Sequence, residues 1–318
     1  MLNSYVLVKN LRSNADELVF TDFKLVNIRS SWDYDLKRSQ QLFPNAWPLY
    51  EDWIFIQGYD GDNNWEIIPF NIEDTLLLLR LFKPGDLVFL QPCIENERGE
   101  LSCQLPYRVM ANVHSAQKYE FQPEECSDFD AFASELKSLL NWSSVWFQTA
   151  RRFFLYGGGK EYRPHHHEID RIVDYLTTLE SVLVPERDGF TGRRLRERAV
   201  LLMGLTENER DNTKRLLKNF YDVRSTIVHG GDISSIKPDT LNKGNDLEVV
   251  LRQILVKALR ALPEEEKDRI SYLKALFDVT DEDRAAMVFS DFCKIKNENE
   301  KSKCSEQIIK HVQGNTSK

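Results

Sequence analysis

Leu216-Leu217-Lys218-Asn219-Phe220-Tyr221-Asp222-Val223-Arg224-Ser225-Thr226-Ile227-Val228-His229-Gly230-Gly231 orders the reading of the whole chain. At about 100° per residue, Leu216, Leu217, Phe220, Val223, Ile227 and Val228 fall within an arc of roughly 140°, which predicts a helix with one apolar face. Arg224 lies inside that arc. Desolvating a guanidinium is expensive, so two readings are open: a carboxylate on a neighbouring helix, or a cleft kept for a phosphate. His229 follows five residues on, where Gly230-Gly231 stops the helix. A fixed cation and a titratable imidazole at one helix end are the two groups that RNA cleavage without a metal requires.

Upstream, Thr206-Glu207-Asn208-Glu209 is a capping box that opens this helix. Before it, residues 193–203 read as a helix ended by Gly204. Ile169, Ile172, Val173, Leu176, Leu179, Val182 and Leu183 mark another, stopped near Pro185. From Ser127, a plausible N-cap, Phe129, Phe132, Leu136, Leu139, Leu140, Trp146, Phe147, Ala150, Phe153 and Phe154 recur at helical steps, and Gly157-Gly158-Gly159 ends that long helix or helix pair. Downstream, helices are expected over residues 246–262, 268–277 and 281–293.

Residues 1 to about 125 read differently. Residues 4–8 and 18–28 are extended candidates, and strands at 53–57 and 65–69 flank Asp60-Gly61-Asp62-Asn63-Asn64, a hairpin signal. A short helix is expected over 72–82, ended by Pro84-Gly85, and then strands over 86–93 and 101–113. The pattern is α+β: an N-terminal β-rich domain over 1–125, a helical domain over 126–296 and a polar, frayed tail over 297–318.

The 318 residues carry a net charge of −8, which argues against a surface coated for non-specific nucleic-acid binding but leaves room for a local basic cleft. Arg193, Arg194, Arg196 and Arg198 lie close together, as do Arg151, Arg152, Lys160 and Arg163; each set reads either as an RNA contact or as a solvated helix face. No apolar run reaches the ~20 residues that span a bilayer. No export signal is read at Met1-Leu2-Asn3-Ser4-Tyr5, and the five scattered cysteines lack CxxC spacing, so reduced thiols in a cytoplasm are expected, with no metal site.

Phe220 to Gly231, with Arg224, four intervening residues and His229, resembles the signature of the Apea-like branch of the HEPN (higher eukaryotes and prokaryotes nucleotide-binding) superfamily. Leu176 to Leu183 resembles that family's acidic helix, and Arg194 to Leu202 its basic one, so the resemblance covers roughly residues 165–262. It implies an all-α HEPN-like bundle, pairing into a homodimer through the motif helices, that cleaves RNA without cofactor or metal as a toxin or antiphage abortive-infection effector. A phage-derived trigger or an antitoxin would be its partner. The resemblance maps the catalytic pair onto Arg224 and His229, the polar position after the arginine onto Ser225, and an orienting carboxylate onto Glu180.

The residue types suit that chemistry. Attack by a ribose 2′-hydroxyl on the adjacent phosphate needs proton transfer, which an imidazole supplies near neutral pH, and a cation with a phosphate-matching fork. On a straight helix, however, side chains five apart diverge by about 140°, so they converge on one phosphate only if the helix ends between them or a second subunit contributes. The competing reading is a non-catalytic RNA- or nucleotide-binding dimer or interaction module, with Arg224 paired to Glu180 or Asp222 and His229 a helix cap.

Other motifs are weaker. Arg108 to His114 fits a similar spacing but inside an expected strand. His165-His166-His167-Glu168 would make a metal hydrolase only with a second ligand pair, which the sequence lacks, so helix-start surface residues are expected. Asp60 to Asn64 begins like a calcium loop, but Trp65 and Asn71 hold the glycine and glutamate positions. Gly157-Gly158-Gly159-Lys160 lacks the Ser/Thr of a phosphate loop, and Trp142, Trp146, Phe147, Phe153, Phe154 and Tyr156 are read as core before base-stacking groups.

Overall fold

A computed structural model describes residues 2–28, 53–59, 68–95, 98, 101–103, 118–139, 144–159, 167–186, 191–205, 207–241 and 243–278. The chain is α+β, an N-terminal antiparallel sheet followed by a helical C-terminal part. It divides into two compact units, Met1–Glu135 with Gly158–His165, and Leu136–Gly157 with His166–Lys318.

In the first unit, β1 (Leu2–Lys9), β3 (Glu17–Val19), β4 (Lys24–Asn27), β5 (Trp53–Tyr59), β6 (Val88–Glu95) and β7 (Leu101–Cys103) form one sheet in the order β3-β4-β5-β1-β6-β7. Every pairing in it is antiparallel. Val6, Leu7 and Val8 are wholly buried, so consecutive residues of the central strand, pointing to opposite faces, are all covered. A short parallel pair, β2 (Leu11–Arg12) with β8 (Tyr119–Glu120), stands apart.

Local chemistry redraws several expected boundaries. The extended run at 18–28 is a hairpin, because the Phe20 N–H donates to the Phe23 carbonyl at 3.0 Å and the two rings stack at 4.3 Å. Helix α1 (Ile68–Phe82) starts inside the strand expected at 65–69; Pro69 is tolerated in a first turn, where its missing N–H has no intrahelical partner to lose. The β1–β6 register shifts between Tyr5 and Leu7, opposite Gln91 and Pro92, the kind of irregularity at which a strand accepts proline.

Helix α2 (Cys126–Leu139) belongs mostly with the sheet rather than with the helices that follow. Phe129 meets Phe20, Phe23, Phe82 and Phe121 edge-on, and Asp130 accepts from the Thr21 N–H and hydroxyl. The helical periodicity that begins near Ser127 therefore crosses a unit boundary. Ser127 lies inside α2, and the capping contact is in the 3-10 turn Pro123–Glu125 that leads into it, where Glu125 accepts from the Gln122 N–H at 2.9 Å. The expectation of reduced thiols fails at Cys93, which is disulfide-bonded; its register partner across the β6–β7 ladder is Cys103. CxxC spacing could not reveal that, because the two cysteines meet through strand pairing. Cys126 is free, with burial pushing its thiol pKa up.

The second unit contains α3 (Val145–Gly159, as far as Gly157), α4 (His167–Leu183), α5 (Thr191–Met203), α6 (Glu207–Val228), α7 (Pro238–Leu241), α8 (Gly244–Ala261) and α9 (Glu266–Asp278). Helix α4 packs against α5, α6 and α8. Ile172, Leu176 and Leu179 of α4, Leu195 and Leu202 of α5, Leu217 and Phe220 of α6, and Leu251 and Ile254 of α8 are fully buried. A buried polar knot ties α4 to α8: Arg171 donates to Glu248, which also accepts from the Tyr175 hydroxyl at 3.0 Å. Gly157 to Gly159 form the last turn of α3 instead of following it. A Cβ on Gly157 would lie 2.4 Å from the Tyr175 ring, so close packing is what asks for glycine there.

Among the described residues, no helix is long and apolar enough to cross a membrane, and no group of three or more His, Cys, Asp or Glu could hold a metal ion. Several expectations fall outside those residues: the turn at Asp60 to Asn64, the 104–113 part of a strand with the second Arg/His spacing, Trp142, Lys160, Arg163, His165 and His166, the cap at Thr206, the helix at 281–293 and the tail at 297–318.

Candidate functional site

The apolar face expected of α6 is buried only along part of its length. Leu217 and Phe220 are fully buried and Val223 nearly so, but Ile227 is half-buried and Val228 is 51 % exposed. The last turn thus runs out of the core. It ends in a Schellman motif: Gly230, at φ +69°, donates its N–H to the Ile227 carbonyl at 3.2 Å, and Gly231 donates to the Thr226 carbonyl at 2.7 Å. The left-handed φ is the reason the stop is a glycine.

His229 is the residue at that cap, exposed, with its N–H still donating to the Ser225 carbonyl at 3.1 Å. Val228, just before it in the chain, and Ile233, four residues after it and 41 % exposed, are apolar residues open to solvent. Ser225 is half-buried.

Arg224 has a carboxylate partner. Its Nη2 donates to Glu180 Oε2 of α4 at 2.8 Å, with the two side chains 21 % and 18 % exposed. Of the partners open in the sequence, Glu180 is the one engaged, and Asp222 points to solvent. The pair is incompletely satisfied: Arg224 Nε and Glu180 Oε1 are both buried without a hydrogen-bond partner. Burial pushes the Glu180 pKa above the ordinary glutamate value, and the nearby Arg224 charge only partly offsets it. Beneath the guanidinium lies the Tyr221 ring, 5.9 Å from ring centroid to guanidinium carbon. Tyr221 was not singled out by sequence reasoning, although its three-residue spacing from Arg224 is the signal that would have found it. Among the described residues, no hydrogen bond or ion pair joins His229 to Arg224 or Glu180 within one chain.

The four arginines of α5 do not make one patch. Arg193 is exposed and Arg196 half-buried, about 60° apart around the helix, whereas Arg194 and Arg198 project about 100–140° from Arg193. Arg198 is 2 % exposed and grips Glu186 through both Nη atoms at 2.6 Å, while its Nη1 also donates to the Leu183 carbonyl at 2.8 Å. It is therefore part of the fold and unavailable to RNA, a correction to its place in the expected binding set. Arg194 contributes charge toward the same Glu186. Arg193 and Arg196 remain as candidate contacts.

No family model, curated protein or solved structure matches this chain.

Proposed function

We propose that the chain is a metal-independent endoribonuclease of the HEPN type, with Arg224 and His229 as the catalytic pair and a homodimer as the working form. The observation that carries this reading is the state of Arg224: a guanidinium at the edge of the core, held by a single hydrogen bond to Glu180, five residues before an exposed histidine. The resemblance of residues 220–231 to the HEPN signature adds to it. In the reaction, the 2′-oxygen forms a bond to phosphorus, the bond from phosphorus to the 5′-oxygen breaks, and a 2′,3′-cyclic phosphate and a 5′-hydroxyl leave. His229 accepts the 2′-hydroxyl proton or delivers a proton to the 5′-oxygen, and Arg224 stabilises charge on the non-bridging oxygens. Because one chain offers no contact between the two residues, a second copy supplies the complementary group, docked against the exposed Val228 and Ile233 beside the cap.

The test is cleavage of single-stranded RNA by the purified chain in chelator. His229→Ala should slow it by about 10²–10⁴-fold, with stability unchanged within about 0.5 kcal/mol because the residue is exposed. Undiminished cutting by that variant, or cutting abolished by chelation, would remove the assignment. Sedimentation of the same samples reports the dimer.

A second reading, a non-catalytic RNA-binding module, is favoured by the fact that Arg224 does have a carboxylate partner in its own chain. It expects binding without product.

A further inference from the structure

We propose that Tyr221 is a positioning residue for Arg224, and that the bare backbone of Gly192 is what lets its ring sit where it does; this rests on the nuclease reading above. Three helices are linked through Arg224 and Tyr221. Helix α4 brings Glu180, α6 brings Arg224 and Tyr221, and the first turn of α5 brings Gly192. A Cβ on buried Gly192 would lie 2.7 Å from Tyr221 Cε1 and 2.8 Å from Cδ1, closer than real Cβ atoms come, and 3.0 Å from Cζ. The Tyr221 ring therefore lies against α5 backbone at a distance that only glycine permits. The centroid of the same ring lies 5.9 Å from the Arg224 guanidinium carbon.

The arrangement answers a geometric need. One hydrogen bond, from Nη2 to Glu180, fixes one end of a planar fork and leaves its plane free to turn, and Nε has no partner to stop it. An aromatic face beside the guanidinium restricts that rotation through stacking and attraction of the cation to the ring. The ring can do this only if it is itself fixed, and its contact with Gly192 fixes it. Tyr221 makes no hydrogen bond to another described residue, so the ring face, not the hydroxyl, is the working part.

The experiment compares Tyr221→Phe, Tyr221→Leu, Gly192→Ala and the double variant Gly192→Ala/Tyr221→Leu with the wild type in the full chain. Two readouts are taken: kcat and KM on a single-stranded RNA, and the Arg224 Nε–H resonance in a nitrogen-15 spectrum, which the ring current of Tyr221 displaces. Tyr221→Phe should cleave within about twofold of the wild type, whereas Tyr221→Leu should lose about 10²-fold in kcat, the cost of misplacing a catalytic group by about 1 Å, and move the resonance. Gly192→Ala, whose methyl group must displace the Tyr221 ring, should lose kcat in the same direction and add nothing in the Tyr221→Leu background. Wild-type kcat with an unmoved resonance in Tyr221→Leu, or full additivity of the two changes, would overturn the positioning role. Absence of cleavage in the wild type itself would instead sink the nuclease reading, and the resonance alone would then decide whether Tyr221 holds Arg224.

Discussion

Two arginine–carboxylate pairs lie on neighbouring helices of the same unit and are built to different standards. Arg198 and Glu186 meet through two parallel 2.6 Å contacts, with the Leu183 carbonyl accepting a third bond, and the arginine is 2 % exposed. Arg224 and Glu180 meet through one 2.8 Å contact, each about a fifth exposed, with one buried atom on either side left unsatisfied. The electrostatics separate in the same way. Hydrogen bonds from Arg198 outweigh burial and hold the Glu186 pKa below the ordinary glutamate value, whereas burial outweighs Arg224 and pushes the Glu180 pKa up. A bidentate pair reinforced by a third bond to a carbonyl is a closed clamp, although its Nε too is buried without a partner. A single contact between side chains about a fifth exposed has room for another ligand, and this difference in bond number and exposure is why the functional reading falls on Arg224 and not on Arg198.

The comparison breaks first on stability. Glu186→Ala leaves the Arg198 guanidinium buried and unpaired and should cost about 3–5 kcal/mol, seen as a lower denaturant midpoint, with cleavage per folded molecule unchanged. Arg224→Ala should do the reverse. It should lose about 10²–10³-fold in cleavage while costing no more than about 1 kcal/mol in a urea melt, since the pair is partly solvated. A loss of several kcal/mol in the second variant would make the two pairs alike and favour the binding-module reading.

A smaller effect sharpens the contrast by sign. Glu186 has a lowered folded pKa, so its contribution is present above the ordinary value of 4.5 and is lost as pH falls through the folded value. Glu180 has a raised folded pKa, so its contribution is full below 4.5 and is lost as pH rises through the folded value. Urea melts from about pH 3 to pH 7 should therefore show the gap between wild type and Glu186→Gln closing on acidification. The gap between wild type and Glu180→Gln should shift in favour of the wild type. The smallest expected effect concerns the solvent side of α5. Charge removal at Arg193 and Arg196 together should reduce the salt slope of RNA binding by about 1.4, at about 0.7 per phosphate contact for a single strand, with no change in melting.

Much of this was legible in the sequence, for identifiable reasons. The helices carrying Leu176, Leu195 and Phe220 are written in their own periodicity, and the glycine stop after His229 is a local rule that the Schellman bonds obey. Glu180 as the partner of Arg224 was among the sequence alternatives, 44 residues apart, and packing of α4 on α6 selected it over Asp222. The burial of Arg198 was not legible: four arginines in six positions look like a basic face until one of them finds Glu186, twelve residues earlier in the chain. The Cys93 disulfide and the place of α2 beside the sheet were hidden for a related reason, since the first depends on strand pairing and the second on packing against residues such as Phe20, far earlier in the chain.

By itself the sequence determined the succession of strands and then helices, the apolar arc of the Arg224 helix and its glycine end, because those depend on neighbours within a few residues. Only the tertiary structure decided which arginine is sealed against a carboxylate and which is held by one bond at the surface. Burial and pairing are properties of what α4, α5 and α6 bring to one place, and no single helix contains that information.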